Sequence, residues 1–192
     1  MPSREKNKVV PPARETLKLK ISHTASVPRD PVTTFRVLSR DRGELTSLFS
    51  VGLPTRAIGI DEISPPSKGQ ENATLHVSLT RGNSFDYQEI SRKFGSSLHS
   101  RMTNFRGPGS LLITQVDSRW ELRPKSVPGN SLGHTAVVWT TTFRPRSVLA
   151  RHALKMWLTY RWRKASAQAM RTNLLRVTEF EQPGMGAGSR PA

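Results

Sequence analysis

Arg163 is the first residue in this chain that invites chemistry. Stepping by threes and fours from Leu149 through Ala153, Met156, Tyr160, Arg163, Ala167, Met170, Leu174 and Val177 traces one face of a helix, apolar everywhere except Arg163. A guanidinium on such a stripe is costly unless it meets a carboxylate, a phosphate or water. Two readings stand open: it receives an anionic or carbonyl group of a ligand, or it snorkels to an edge and pairs with a strand carboxylate. Tyr160, one turn earlier, would donate a hydrogen bond or act as an acid; the plainer reading places it in the core with its hydroxyl at the edge.

The other titratable residues form no constellation. His23, His76, His99, His134 and His152 are scattered without metal-ligand spacing, so no metal site is expected. Only His76 and His152 fall where an interior would be near, and His76 alternates with Leu75 and Val77, which turns it outward. Asp61, Asp86 and Glu89 sit in strand-like runs, where an inward pair would suit general acid–base work, although sequence alone sets no distance between them. There is no Ser-His-Asp order, nucleophile elbow, P-loop or dinucleotide fingerprint, and Gly107-Pro108-Gly109 and Gly184-Met185-Gly186 read as turn and tail glycines. The absence of cysteine removes disulfides, thiolate metal sites and cysteine nucleophiles. No catalytic residue and no cofactor follow.

The elements that must position these residues are legible from periodicity. Residues 1–16 carry basic residues and Pro11-Pro12 without periodicity and read as a disordered basic arm. Leu17, Leu19 and Ile21 alternate with Lys18, Lys20 and Ser22, a half-buried strand. Asp30-Pro31 supplies an N-cap acceptor and a first-turn proline, and Val32, Phe35 and Leu38 give the short helix that follows one buried side. A second short helix is expected from Glu44 to Phe49. Strand-like runs then cover Arg56 to Ile63, Thr74 to Thr80, and Phe85 to Ile90 after a Gly82-Asn83 hairpin signal. Lys93 to Gly109 reads either as a strand with a loop or as a mobile lid. Leu111 to Pro124 and Thr135 to Phe143 are the last strands. The second feeds through Arg144-Pro145 into one uninterrupted helix from Ser147 to about Thr178, a rod of about 45 Å at ~1.5 Å per residue. The tail 181–192, rich in Gly and Pro, reads as disordered. The class is α+β: strand, two short helices, five or six antiparallel strands, long helix.

A chain of 192 residues suits one domain, here 17–180. With no charged-then-apolar leader at Met1 and no apolar run near the ~20 residues a membrane span needs, the expected location is the cytoplasm. Thirty Lys and Arg against 14 Asp and Glu give a net charge of +16, enough to attract polyanions without any specific site. No nucleic-acid-binding motif accompanies the charge.

The run Asp117-Ser118-Arg119-Trp120-Glu121-Leu122-Arg123-Pro124, then Gly133-His134-Thr135-Ala136-Val137-Val138-Trp139 and Phe143-Arg144-Pro145 before the long helix, resembles the SRPBCC superfamily, the START-like helix-grip proteins that include polyketide cyclase/dehydrase-like members. His134 between the Gly and the Thr departs from that pattern. The resemblance implies a curved antiparallel sheet wrapped around the C-terminal helix, with a largely apolar cavity between them for a lipid, polyketide or other hydrophobic small molecule; some members catalyse cyclisation or dehydration there. Carried onto this chain, the expected ligand contacts are Met156, Tyr160, Arg163, Ala167 and Met170 on the helix and Trp120 and Trp139 on the strands.

A second class of reading is a basic interaction protein that binds nucleic acid or an anionic surface, without catalysis, through its arm and helix. Trp157, Trp162, Leu154 and Leu158 flank the stripe beside Arg151, Lys155, Arg161 and Lys164. Exposed, they would suit an anionic membrane surface or a partner groove; otherwise they pack under loops or in a dimer interface.

Overall fold

The computed structural model describes residues 17–39, 57–64, 74–126 and 133–179. The basic arm, the second short helix expected at Glu44–Phe49, the Pro65-Pro66 loop and the Gly/Pro tail lie outside the described residues. The elements run β1 (Leu19–Val27), α1 (Pro31–Ser39), β2 (Ala57–Ser64), β3 (Thr74–Leu79), β4 (Ser84–Lys93), β5 (Ser97–Arg106), β6 (Ile113–Lys125), β7 (His134–Pro145), α2 (Val148–Trp157), a π-helical turn (Leu158–Trp162) and α3 (Arg163–Glu179). The strands form one antiparallel sheet in the order β1-β7-β6-β5-β4-β3-β2, so every neighbour from β2 to β7 is a hairpin partner and only β1 crosses over, to pair with β7. One face of the sheet grips the C-terminal helices, the arrangement that the order of motifs implies.

Local chemistry explains the boundaries. The Asp30 carboxylate accepts the Thr33 backbone N–H at 2.9 Å, capping α1, with Pro31 in the first turn. Thr34 and Phe35 turn into the core while Val32 stays outside. Of the two expectations for segment 93–109, the strand with a loop holds and the lid does not: Gly95, at φ 68°, turns β4 directly into β5, a conformation a side chain would strain, and a short turn follows β5. Leu111 and Leu112 precede β6 rather than starting it, because a 3-10 turn covers Pro108–Leu111.

The long helix needs the largest correction. Ser147 Oγ accepts the Ala150 N–H at 3.1 Å and caps its start as a serine should. The buried line, however, is Ala150, Leu154, Leu158, Trp162 and Ser166, continuing through Ala169, Met170, Leu174 and Val177. The line from Leu149 through Ala153, Met156, Tyr160 and Arg163 faces solvent, and only from Met170 onward do the two lines coincide. A step of four residues overshoots a full α-helical turn by about 40°, so a line repeating every four drifts around the rod. The π turn at Leu158–Trp162, with its wider i→i+5 repeat, offsets that drift and keeps Trp162 and Ser166 over the sheet. The choice between the two apolar lines follows buried area: Leu154, Leu158 and Trp162 remove more apolar surface from water than Leu149, Ala153 and Met156 would. The residues expected to flank the stripe are thus the core itself, with Trp157 half-buried beside them.

Candidate functional site

The gripped face of the sheet is built in transverse rows, because each strand sends alternate residues inward and the register aligns them. One row runs Tyr87, Met102, Val116, Phe143 and Leu19, each the Cα partner of the next. Two residues further along each strand the inward row is Glu89, Ser100, Ser118, Thr141 and Ile21, again partner to partner across five strands. The next is Leu98, Trp120, Trp139 and His23. The first row belongs to an apolar cluster under Leu154, Leu158 and Trp162; Leu98, Trp120 and Trp139 belong to a second cluster with Phe35, Ala169, Met170 and Leu174. Between them lies a band of buried polar side chains: Glu89 at 8% exposure and the short Ser100 at 5%, Ser118 at 1% and Thr141 at 3%.

This band carries charge and hydrogen-bonding capacity at specified points. Glu89 turns inward just before a bulge at Ile90, where the register against β5 slips by one residue. Its carboxylate accepts two bonds from Arg92, Nε to Oε1 at 2.8 Å and Nη2 to Oε2 at 2.7 Å, a forked pair that raises Arg92 above its already high proton affinity. Ser118 Oγ accepts the Trp139 indole N–H at 2.9 Å, and Trp139 stacks on Trp120 with centroids 4.9 Å apart and planes 8° from parallel. On the helix side, His23 Nε2 lies 2.7 Å from Ser166 Oγ, and Ser166 also donates to the Trp162 carbonyl at 2.7 Å. Burial and then the nearby Arg163 charge lower the His23 pKa below 6.5, so the ring is neutral at neutral pH. The Trp162 ring, 2% exposed and edge-on to Phe143, keeps an indole N–H with no acceptor among the described residues.

Of the expected site residues, Trp120, Trp139 and Met170 lie in the gripped interior, and Ala167 is half-buried at its edge. Met156, Tyr160 and Arg163 do not: Met156 is 64% exposed, Tyr160 77%, and Arg163 is exposed too. Arg163 is therefore no cation trapped in a stripe, although its charge is felt at His23. His76 and Asp86 bond each other at 2.8 Å on the outer face of the sheet, where Asn104 holds the other Asp86 oxygen at 2.7 Å. His152 is exposed. Among the described residues no three of His, Asp and Glu gather as metal ligands.

His23 and the Glu89, Ser100, Ser118, Thr141 row escape a residue-by-residue reading. Their signal is nonetheless present as a repeated interruption: Leu98-x-Ser100-x-Met102, Val116-x-Ser118-x-Trp120 and Trp139-x-Thr141-x-Phe143 each break an inward apolar set with one hydroxyl. Aligning the three breaks requires the strand register.

No family model matches the sequence, and no curated protein does. Solved structures match the fold. Norcoclaurine synthase from Thalictrum flavum in complex with dopamine and hydroxybenzaldehyde superposes with a TM-score of 0.58 at 14% identity, over 93% of this chain and 99% of that one. Ara h 8.0201 gives 0.55 at 13%, over 85% of this chain and 99% of that one. The Zhui aromatase/cyclase from Streptomyces sp. R1128 gives 0.54 at 13%, over 84% and 94%. At these identities the likeness establishes the fold.

Proposed function

From a chain with the START-like helix-grip fold of the SRPBCC superfamily, we propose the binding of a hydrophobic small molecule, lipid-like or polyketide-like, between the sheet and the C-terminal helices. The observation that carries the reading is the buried polar row Glu89, Ser100, Ser118, Thr141 set between two apolar rows. Two serines and a threonine side by side occupy far less space beneath a helix than the leucines and aromatics on either side. Buried polar groups also carry a desolvation cost that a ligand hydroxyl or carbonyl offsets by bonding them. The stacked Trp120–Trp139 pair offers a flat apolar wall on one flank and the Trp162 N–H a donor on the helix side. The ligand that fits is an apolar body, favourably a flat one, with hydroxyl or carbonyl groups along one edge. The similarity to norcoclaurine synthase in complex with dopamine and hydroxybenzaldehyde, and to the Zhui aromatase/cyclase, supports that class.

Native mass spectrometry of the purified chain, followed by thermal shift against hydroxylated polycyclic aromatics and fatty acids, tests it. A retained mass or a raised Tm that disappears in Ser100→Leu, a variant whose longer side chain fills the row, is the expected result. A wild-type chain with no retained mass and no shift against either class sinks the proposal.

A further inference from the structure

The solvent side of the C-terminal helices has a composition that the small-molecule reading does not use. Residues 146–178 contain eight Lys and Arg and no Asp or Glu. Within that stretch Leu149, Ala153, Met156 and Tyr160 form one exposed line, with Leu149 81% exposed, alongside exposed Val148. The line is flanked by exposed His152, Lys155, Arg163 and Lys164. At the same end, Leu111 is 73% exposed on its 3-10 turn. That turn is tied to the entry of the helix, because the Arg146 N–H donates to Leu112 O at 3.0 Å and its Nε to Ser110 O at 3.1 Å. Leu111 and the Val148–Leu149 pair are thus apolar tips on two elements held together, with a basic helix running away from them.

We propose that this face docks on an anionic lipid bilayer surface, with Leu149, Met156 and Tyr160 entering the headgroup–acyl boundary and the flanking cations meeting lipid phosphates and carboxylates. Exposed apolar side chains aligned on a helix and bordered by cations are the composition of an interfacial helix. Charge decides among the possible occupants. A second copy would bring the same uncompensated cations against each other. A nucleic acid would neutralise the cations but leave the aliphatic line unburied. An anionic bilayer satisfies both parts, since each Lys or Arg near such a surface is attracted while the apolar line leaves water.

Co-sedimentation of the full chain with phosphatidylcholine vesicles, with and without phosphatidylserine, tests this. Binding is expected only with phosphatidylserine, weakened by added salt but not abolished. Leu149→Ser/Met156→Ser and, separately, Arg163→Glu/Lys164→Glu should each weaken partitioning by at least about tenfold. Both pairs are exposed, so unchanged thermal unfolding shows that the variants remain folded. Failure of the wild type to sediment with phosphatidylserine vesicles overturns the proposal. So does equal binding by the Leu149→Ser/Met156→Ser variant, or a dimer in solution that these substitutions dissociate. Retention on single-stranded DNA without vesicle binding would assign the face to a polyanion instead.

Discussion

His23 on β1 and Ser166 on α3 meet across the core at 2.7 Å, linking the edge strand of the sheet to the helix that the sheet grips. Ser166 is 1% exposed and also bonds back to its own helix at Trp162, so its hydroxyl is fully committed. Ser166→Ala should destabilise the chain by about 1–3 kcal/mol, because the half-buried His23 ring loses its partner. Urea unfolding checks this; a loss below the error of the measurement would mean that water replaces the serine.

The same ring sets a pH dependence. The folded pKa of His23 lies below the unfolded 6.5, first through burial and then through Arg163, so the unfolded chain takes up the proton first as pH falls. His99, on the outer face, is shifted in the same direction, chiefly by burial. Their combined effect is full stability above pH 6.5, falling as the pH descends below it. Histidine NMR titration should place the His23 midpoint under 6.5, and Arg163→Leu should move it upward without restoring 6.5, since the burial remains. An unmoved midpoint would show that the Arg163 charge is screened.

Trp139 donates its buried indole N–H to Ser118. Ser118→Ala orphans that donor and should lower stability by about 1–3 kcal/mol, whereas Trp162→Phe removes a donor that has no acceptor and costs the unligated protein only the packing of the lost ring, about 1–2 kcal/mol. If the Trp162 N–H serves a ligand, Trp162→Phe reduces the ligand-induced rise in melting temperature beyond the drop that lost packing causes in the free chain. Paired thermal melts with and without ligand separate the two effects.

At the start of α1, Asp30→Ala should destabilise by about 1 kcal/mol near neutral pH. The Thr33 hydrogen bonds hold the Asp30 pKa below 3.8, so the cap contributes above that value and is lost as pH falls through the lower folded value. The difference between wild type and variant in acid urea titrations should close over that range.

What the amino-acid order determined by itself is the succession of elements and their ends. Alternation along β1, β3 and β7, the Asp30-Pro31 and Ser147 caps and the unbroken run into α3 are local patterns, and the chain near them decides their outcome. The Trp120, Trp139 and Phe143-Arg144-Pro145 spacing carries the fold class for the same reason. Two matters waited for the tertiary structure. The helix has two apolar lines, and only packing against the sheet, with a π turn to hold the phase, buries Leu154, Leu158 and Trp162 and leaves Met156, Tyr160 and Arg163 outside. The polar row exists only through pairing, because Glu89, Ser100, Ser118 and Thr141 come from four strands and become neighbours through register, a non-local quantity that no single stretch of sequence encodes.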